Sequence, residues 1–162
     1  MTGGLRRVLF VCTGNSARSQ IAEALLSTRG AGRYLAGSAG SEPAARVNPL
    51  ALQTLRDAGV DWTAHPPQGI DTVFNQPWDF VITVCDHARE SCPVFPGQPV
   101  AAHWGLPDPA AVEGTEEQRE RAFREAFVTI ARRIDLFLAL PMEKLDRLAL
   151  ERRVREIGGV GG

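Results

Sequence analysis

Short apolar runs alternate with amphipathic stretches along the chain. Val8–Val11 is continuously apolar, the pattern of a strand covered on both faces in a parallel sheet. Ile21, Ala24, Leu25 and Thr28 then repeat at helical spacing, which predicts a helix over 19–29. A second strand is predicted over 33–39, ending near Gly37 and Gly40. Asn48-Pro49 opens a second helix that Gly59 closes. Residues 79–84 (D-F-V-I-T-V) form a third strand, and 99–103 a short fourth. Thr115 and Gln118 have capping-box spacing, so a long helix runs to about Leu140, where Pro141 stops it. Phe123, Phe127, Ile130, Ile134 and Phe137 are its core stripe, and its Arg/Glu face is solvated. A short amphipathic helix is expected over 142–157, and the glycine-rich tail 158–162 is expected to fray. Strands alternating with helices predict an α/β fold: a four-stranded parallel sheet flanked by helices on both faces.

Composition narrows this. The chain's 162 residues suit a single domain, 1–162, with 142–157 as a C-terminal helical extension. Hydrophobic residues make up 44% and charged residues 23%, the balance of a globular protein. The formal net charge of -1 supplies no basic field for nucleic acid. No apolar run approaches the roughly 20 residues of a membrane span. The first residues lead directly into a strand, with no room for a signal peptide, so a cytoplasmic location is expected. Three cysteines in such a compartment point to chemistry rather than to structural disulfides.

Two of those cysteines, Cys12 and Cys85, end predicted strands, and ligands of open α/β sheets bind off the carboxyl ends of strands. Cys12 opens the loop Cys12, Thr13, Gly14, Asn15, Ser16, Ala17, Arg18, Ser19. With a strand before it and a helix after it, this loop can surround an anion with backbone N–H groups. Gly14 and Asn15 tolerate the left-handed backbone that turns those groups inward. Arg18 can grip two oxygens of a tetrahedral oxyanion with its planar fork. The helix N-terminus, Arg18 and the hydroxyls of Ser16 or Ser19 favour the thiolate of Cys12. The loop is thus an oxyanion pocket with a nucleophile at its base, suited to arsenate or a phosphate ester. A plain buried cysteine beside a surface arginine is the alternative.

The run V-C-T-G-N-S-A-R-S-Q-I-A-E-A resembles the anion loop of the low-molecular-weight protein tyrosine phosphatase fold, and most of all that of its arsenate reductases. The similarity extends over 6–157, including H-W-G-L-P-D-P-A. It implies a four-stranded parallel sheet flanked by helices. It also implies that Asp108, in Leu106-Pro107-Asp108-Pro109, is the general acid that protonates the leaving oxygen. Two prolines stiffen that loop, and partial burial beside a bound anion would help the carboxyl keep its proton.

Cys85 and Cys92 separate reduction from hydrolysis. A phosphatase needs one cysteine, whereas a reductase must draw two electrons from thiols. Cys85 can attack an arseno-cysteine at Cys12, and Cys92, seven residues on in an expected mobile loop, can then attack Cys85. His87 and Arg89 are placed to help keep those thiols anionic. The resemblance supports the relay, because thioredoxin-coupled arsenate reductases carry two cysteines at this separation. It implies thioredoxin as reductant and no bound cofactor, while a glutaredoxin or mycothiol donor remains open. Inert core thiols, or a zinc site from Cys85, His87, Cys92 and His103, are the other readings.

Some members of this fold bind potassium through an Asn, a Glu, a Ser and an Asp. Asn15, Glu23 and Ser38 match the first three, and Gln68 stands at the fourth; alternatively Glu23 simply bonds Asn15 and braces the loop. Ala110-Ala111 follow the Asp-Pro where phosphotyrosine enzymes usually carry aromatics. His65 reads as a loop residue, and Trp62, Trp78 and Trp104 as core or rim. A phosphate-monoester hydrolase with incidental cysteines, and a non-catalytic redox-responsive phosphoprotein-binding module, are the competing functions.

Overall fold

All four strands of the sheet run parallel, in the order β2-β1-β3-β4: β1 is Arg6–Cys12, β2 Tyr34–Gly40, β3 Phe80–Thr83 and β4 Val100–His103. The structure, a computed structural model, describes residues 4–161. Six helices connect or flank the strands: α1 Arg18–Arg29, α2 Pro49–Asp57, α3 Ile70–Val73, α4 Asp86–Ser91, α5 Glu116–Leu138 and α6 Arg147–Ile157. Val8 to Val11 are all fully buried although successive side chains point to opposite faces, so both faces of β1 are covered.

The predicted elements form, with boundaries shifted by a residue or two. Asn48 caps α2 by accepting the Leu50 N–H, and the Thr115/Gln118 capping box is complete. Three expectations are corrected. The segment between Cys85 and Cys92 is not a mobile loop but helix α4, capped by the Cys85 sulfur, which accepts from the Ala88 N–H at 3.4 Å. The tail is not frayed through residue 161: the Val160 carbonyl accepts from Arg133 Nε at 2.8 Å, and the Gly161 carbonyl from Thr129 Oγ1 at 3.3 Å. Gly162 lies outside the described residues. The expected 142–157 helix is divided into a 3-10 turn, Met142–Lys144, and α6, because Asp146 caps a fresh start by accepting the Ala149 N–H.

The sheet order reverses between β1 and β3, and Cys12 and Cys85 follow those two strands. Such a switch point opens a crevice at the carboxyl edge. Val84 N–H donates to the Val11 carbonyl, which carries the pairing up to the two cysteines. Beneath them, Phe137 packs its ring 5.1 Å from Phe80, 5.2 Å from Tyr34 and 5.9 Å from Trp104, measured between centroids. Trp78 and Trp104 are core and Trp62 is at the rim, as expected. Among the described residues no helix is long and apolar enough to cross a membrane. Replacing Phe137 by Ala removes the ring shared by three aromatic neighbours and should cost about 3–5 kcal/mol, read as a lowered urea midpoint with an unchanged slope.

Candidate active site

The loop after β1 is held from outside by its carbonyls. Cys12, Thr13, Gly14 and Ser16 carbonyls accept backbone N–H bonds from Ser41, Glu42, Ala44 and Asn48, at 2.8–3.1 Å. The Asn15 carbonyl accepts from Gln20 Nε2 at 3.1 Å. With every carbonyl from 12 to 16 turned outward, the amides face the other way. Among the described residues, the N–H groups of Ser16, Ala17, Arg18 and Ser19 find no acceptor, and Ala17 gives α1 no side-chain cap. A helix N-terminus left open in this manner is an anion site. Asn15 has the expected left-handed backbone, with φ of 52°. Gly14 does not share it, and the expectation for that residue is corrected. Gly40, paired with Cys12 across the sheet, is the glycine the loop requires, because a Cβ there would collide with the Thr13 carbonyl and the Asn15 amide.

Cys12 is buried at the base of this cradle. Its sulfur accepts from the Asn15 N–H at 3.2 Å and lies 2.9 Å from Ser19 Oγ. Asn15 Nδ2 donates into that Oγ at 2.9 Å, which leaves the Ser19 hydroxyl hydrogen for the sulfur. The second Nδ2 hydrogen goes to Ser38 Oγ at 2.8 Å, and Asn15 Oδ1 accepts from Gln68 N–H at 3.0 Å. Ser38 in turn donates to Glu23 Oε1 at 2.5 Å. Glu23 therefore braces the loop through Ser38 rather than by bonding Asn15 directly, as was expected.

His65, read as a loop residue, completes this chain. Its Nε2 lies 2.7 Å from Glu23 Oε1 and its Nδ1 2.7 Å from the Pro66 carbonyl. Both partners only accept, so both ring nitrogens donate, as in imidazolium. The hydrogen bond to Glu23 pushes the His65 pKa up, with burial opposing it and the Pro66 carbonyl and the Glu23 charge assisting. The partners are 42 residues apart, so nothing local in the sequence marks the contact. The oxygens matched to a potassium site already carry hydrogen bonds: Asn15 Oδ1 accepts from the Gln68 amide, the Ser38 carbonyl from Gln68 Nε2 at 2.9 Å, and Glu23 Oε1 from Ser38 while facing His65 Nε2.

Arg18 spans the loop's far end. Its Nη1 donates to the Leu106 carbonyl at 2.9 Å, and its Nη2 stands 3.9 Å from Asp108 Oδ2. Asp108 accepts the Ala110 N–H at 2.9 Å at the head of a 3-10 turn, Pro109–Ala111. Its side chain is 44% exposed, so the expected partial burial is not present. Arg18 and Asp108 line an open cleft of ≈ 570 Å³ with His103, Leu106 and Gly158.

Cys85 comes up beside the loop, its sulfur 3.2 Å from Thr13 Oγ1. Cys92 stands at the other end of α4, in a groove of ≈ 800 Å³ that it shares with Arg89, Val94 and Phe95. Burial pushes the Cys92 thiol up from its ordinary value. His87 turns to Glu42 at 3.1 Å instead of either thiol, and His103 to Thr83 Oγ1 and Asp86 Oδ1, at 2.8 and 2.9 Å. The zinc arrangement written from Cys85, His87, Cys92 and His103 therefore does not assemble; among the described residues no such cluster of three or more forms.

A family model described as low molecular weight phosphotyrosine protein phosphatase matches residues 7–152. The chain belongs to this family. Within it, the chain is 38% identical over 130 residues to an arsenate reductase of Halalkalibacterium halodurans, covering 80% of this chain and 93% of that protein. A solved arsenate reductase in its oxidized state superposes with a TM-score of 0.68 at 28% identity, over 81% of this chain and 95% of that one. A thioredoxin-dependent arsenate reductase of Corynebacterium glutamicum gives 0.58 at 30% identity, over 84% and 65%. The sheet and cradle are thus those of a low-molecular-weight phosphatase-like protein, with the sequence nearer to reductases.

Because its folded pKa is raised, His65 stabilises the fold fully below its unfolded pKa of about 6.5 and loses that contribution as pH rises through the higher folded value. Melting curves from about pH 6 to about pH 9 should show His65→Gln less stable than the unaltered protein at the acid end, the gap closing toward the alkaline end.

Proposed function

We propose that the protein reduces arsenate to arsenite by a three-cysteine relay in the cytoplasm, with thioredoxin as reductant and weak phosphate-ester hydrolysis as a side activity. The observation that carries this reading is the placement of Cys85 against Thr13 of the oxyanion cradle, with Cys92 on the same short helix. A hydrolase needs neither.

The steps follow from the geometry. An arsenate enters the cradle, where the free amides of 16–19 and the Arg18 fork take its oxygens. The Cys12 thiolate attacks arsenic; Asp108 gives its proton to the departing oxygen, which leaves as water. Cys85 then attacks Cys12 Sγ. A sulfur–sulfur bond forms, the arsenic–sulfur bond breaks, and its electron pair stays on arsenic, now arsenite. Cys92 attacks Cys85, Cys12 leaves as thiolate, and the Cys85–Cys92 disulfide passes to an external dithiol.

The last transfer sets a structural demand. Seven helical steps separate Cys85 and Cys92 by about 10 Å. A disulfide holds its Cα atoms at roughly 4.4–6.8 Å. Helix α4 must therefore unwind. It has six residues and buries only Ala88, so little opposes this. Unwinding would also release the Cys92 thiol from the burial that raises its pKa, so that it becomes a better nucleophile only when its turn comes.

Arsenate-dependent NADPH consumption should appear with thioredoxin and its reductase and not with glutathione and glutaredoxin. Cys85→Ser should abolish it while retaining 4-nitrophenyl phosphate hydrolysis; loss of both activities, or of neither, contradicts the assignment. Asp108→Asn should keep oxyanion affinity and slow turnover by about 10²-fold or more. Unchanged steady-state turnover would exclude the acid role.

A further inference from the structure

Asp108 is poorly anchored through its own side chain. Its carboxylate is 44% exposed, caps only the short turn that follows it, and stands 3.9 Å from Arg18. A proton donor needs a fixed distance to the leaving oxygen, so something in the preceding backbone must set it. Three successive carbonyls lead into the Pro107-Asp108 turn, and each accepts from a guanidinium. Arg133 Nη1 donates to the Trp104 carbonyl at 2.9 Å and to the Gly105 carbonyl at 3.1 Å. Arg18 Nη1 donates to the Leu106 carbonyl at 2.9 Å. One cation belongs to the oxyanion loop; the other comes from the C-terminal third of α5.

Arg133 is 1% exposed, on a helix face it shares with Ile130, Ile134 and Phe137. Burial holds its pKa below the ordinary arginine value. A guanidinium in such a place is costly unless it is well hydrogen-bonded, and packing alone would be served by an apolar side chain. Its Nε makes the third contact, to the Val160 carbonyl at 2.8 Å in the tail beyond α6. The tail presses on the same point. Gly158 leaves no space for a Cβ between its backbone and the His103 carbonyl, and it lines the cleft with Arg18 and Asp108. Trp104 Nε1 also donates to the Val154 carbonyl of α6 at 2.9 Å.

We propose that Arg133 is a positioning residue for the acid. By joining the Trp104 and Gly105 carbonyls to Val160, it makes the C-terminal tail part of the device that sets the distance of Asp108 from the cradle. The proposal rests on the reading of Asp108 as proton donor. It requires that loosening Arg133 or the tail impair proton delivery specifically, not the cradle.

The test compares aryl phosphates with good and poor leaving groups, 4-nitrophenyl and phenyl phosphate, because only the poor one depends strongly on a proton donor. Arg133→Met should lower kcat for phenyl phosphate roughly tenfold more than for 4-nitrophenyl phosphate, with little change in KM. Arg133→Lys should restore part of the difference, and deletion of 159–162 should reproduce its direction. Asp108→Asn serves as reference. If it shows no leaving-group dependence, the acid reading fails. If it does and Arg133→Met and the deletion lose both substrates equally, or lose nothing, the positioning role is overturned. Far-UV circular dichroism and a cooperative urea transition report that a variant is folded; should Arg133→Met not fold, the lysine variant and the deletion decide.

Discussion

The site depends on where the backbone of residues 12–16 is allowed to point. Peptide units carry a donor and an acceptor on opposite sides, so tying every carbonyl to an outer wall turns the amides into the cradle. Here the wall is the segment from Ser41 to Asn48, with Gln20 supplying the fifth donor. Gly40 must lack a side chain so that this wall can come close, and Asn15 must hold a left-handed backbone. Asn15 is held there by three contacts on its own side chain, to Ser19, Ser38 and Gln68, and by a fourth on its backbone carbonyl, from Gln20. An arrangement fixed before the anion arrives has no reorganisation left to make when charge develops.

Around that constraint the molecule divides its tasks between two guanidiniums and one helix. Arg18 and Arg133, the latter deep in the core, both hold carbonyls of the segment that leads to Asp108, and in the proposed cycle Arg18 also grips the anion. Helix α4 is the element of least commitment: short, mostly exposed, and capped at both ends by cysteines. Rigidity at the cradle and lability at α4 suit a cycle whose first bond is made to a fixed nucleophile and whose last requires two thiols to approach.

The strands and long helices were legible because each is announced locally, by an apolar run, an Asn-Pro start or a capping box. The cradle was legible because Cys12, the loop and Arg18 are contiguous in sequence. What escaped was settled by contacts across long separations. His65 reads as a loop residue until the fold brings it onto Glu23, and Arg133 reads as one more arginine on a charged helix until Trp104 and Val160 close over it. Helix α4 was missed because its cap is a thiol, a weaker and less usual acceptor than the side chains that signal helix starts. The tail's glycines suggested fraying; at Gly158 the missing side chain is instead what permits close packing.

The central claim is that the two electrons that reduce arsenate come from Cys85 and Cys92, which end as a disulfide while Cys12 returns to its thiolate. Disulfide mapping by mass spectrometry after a single arsenate turnover, quenched with acid and without reductant, addresses it directly. The account predicts a Cys85–Cys92 bridge with Cys12 free in the unaltered protein, and a Cys12–Cys85 bridge in Cys92→Ser. Arsenite released with all three cysteines still reduced, or a bridge that excludes Cys85, would contradict it.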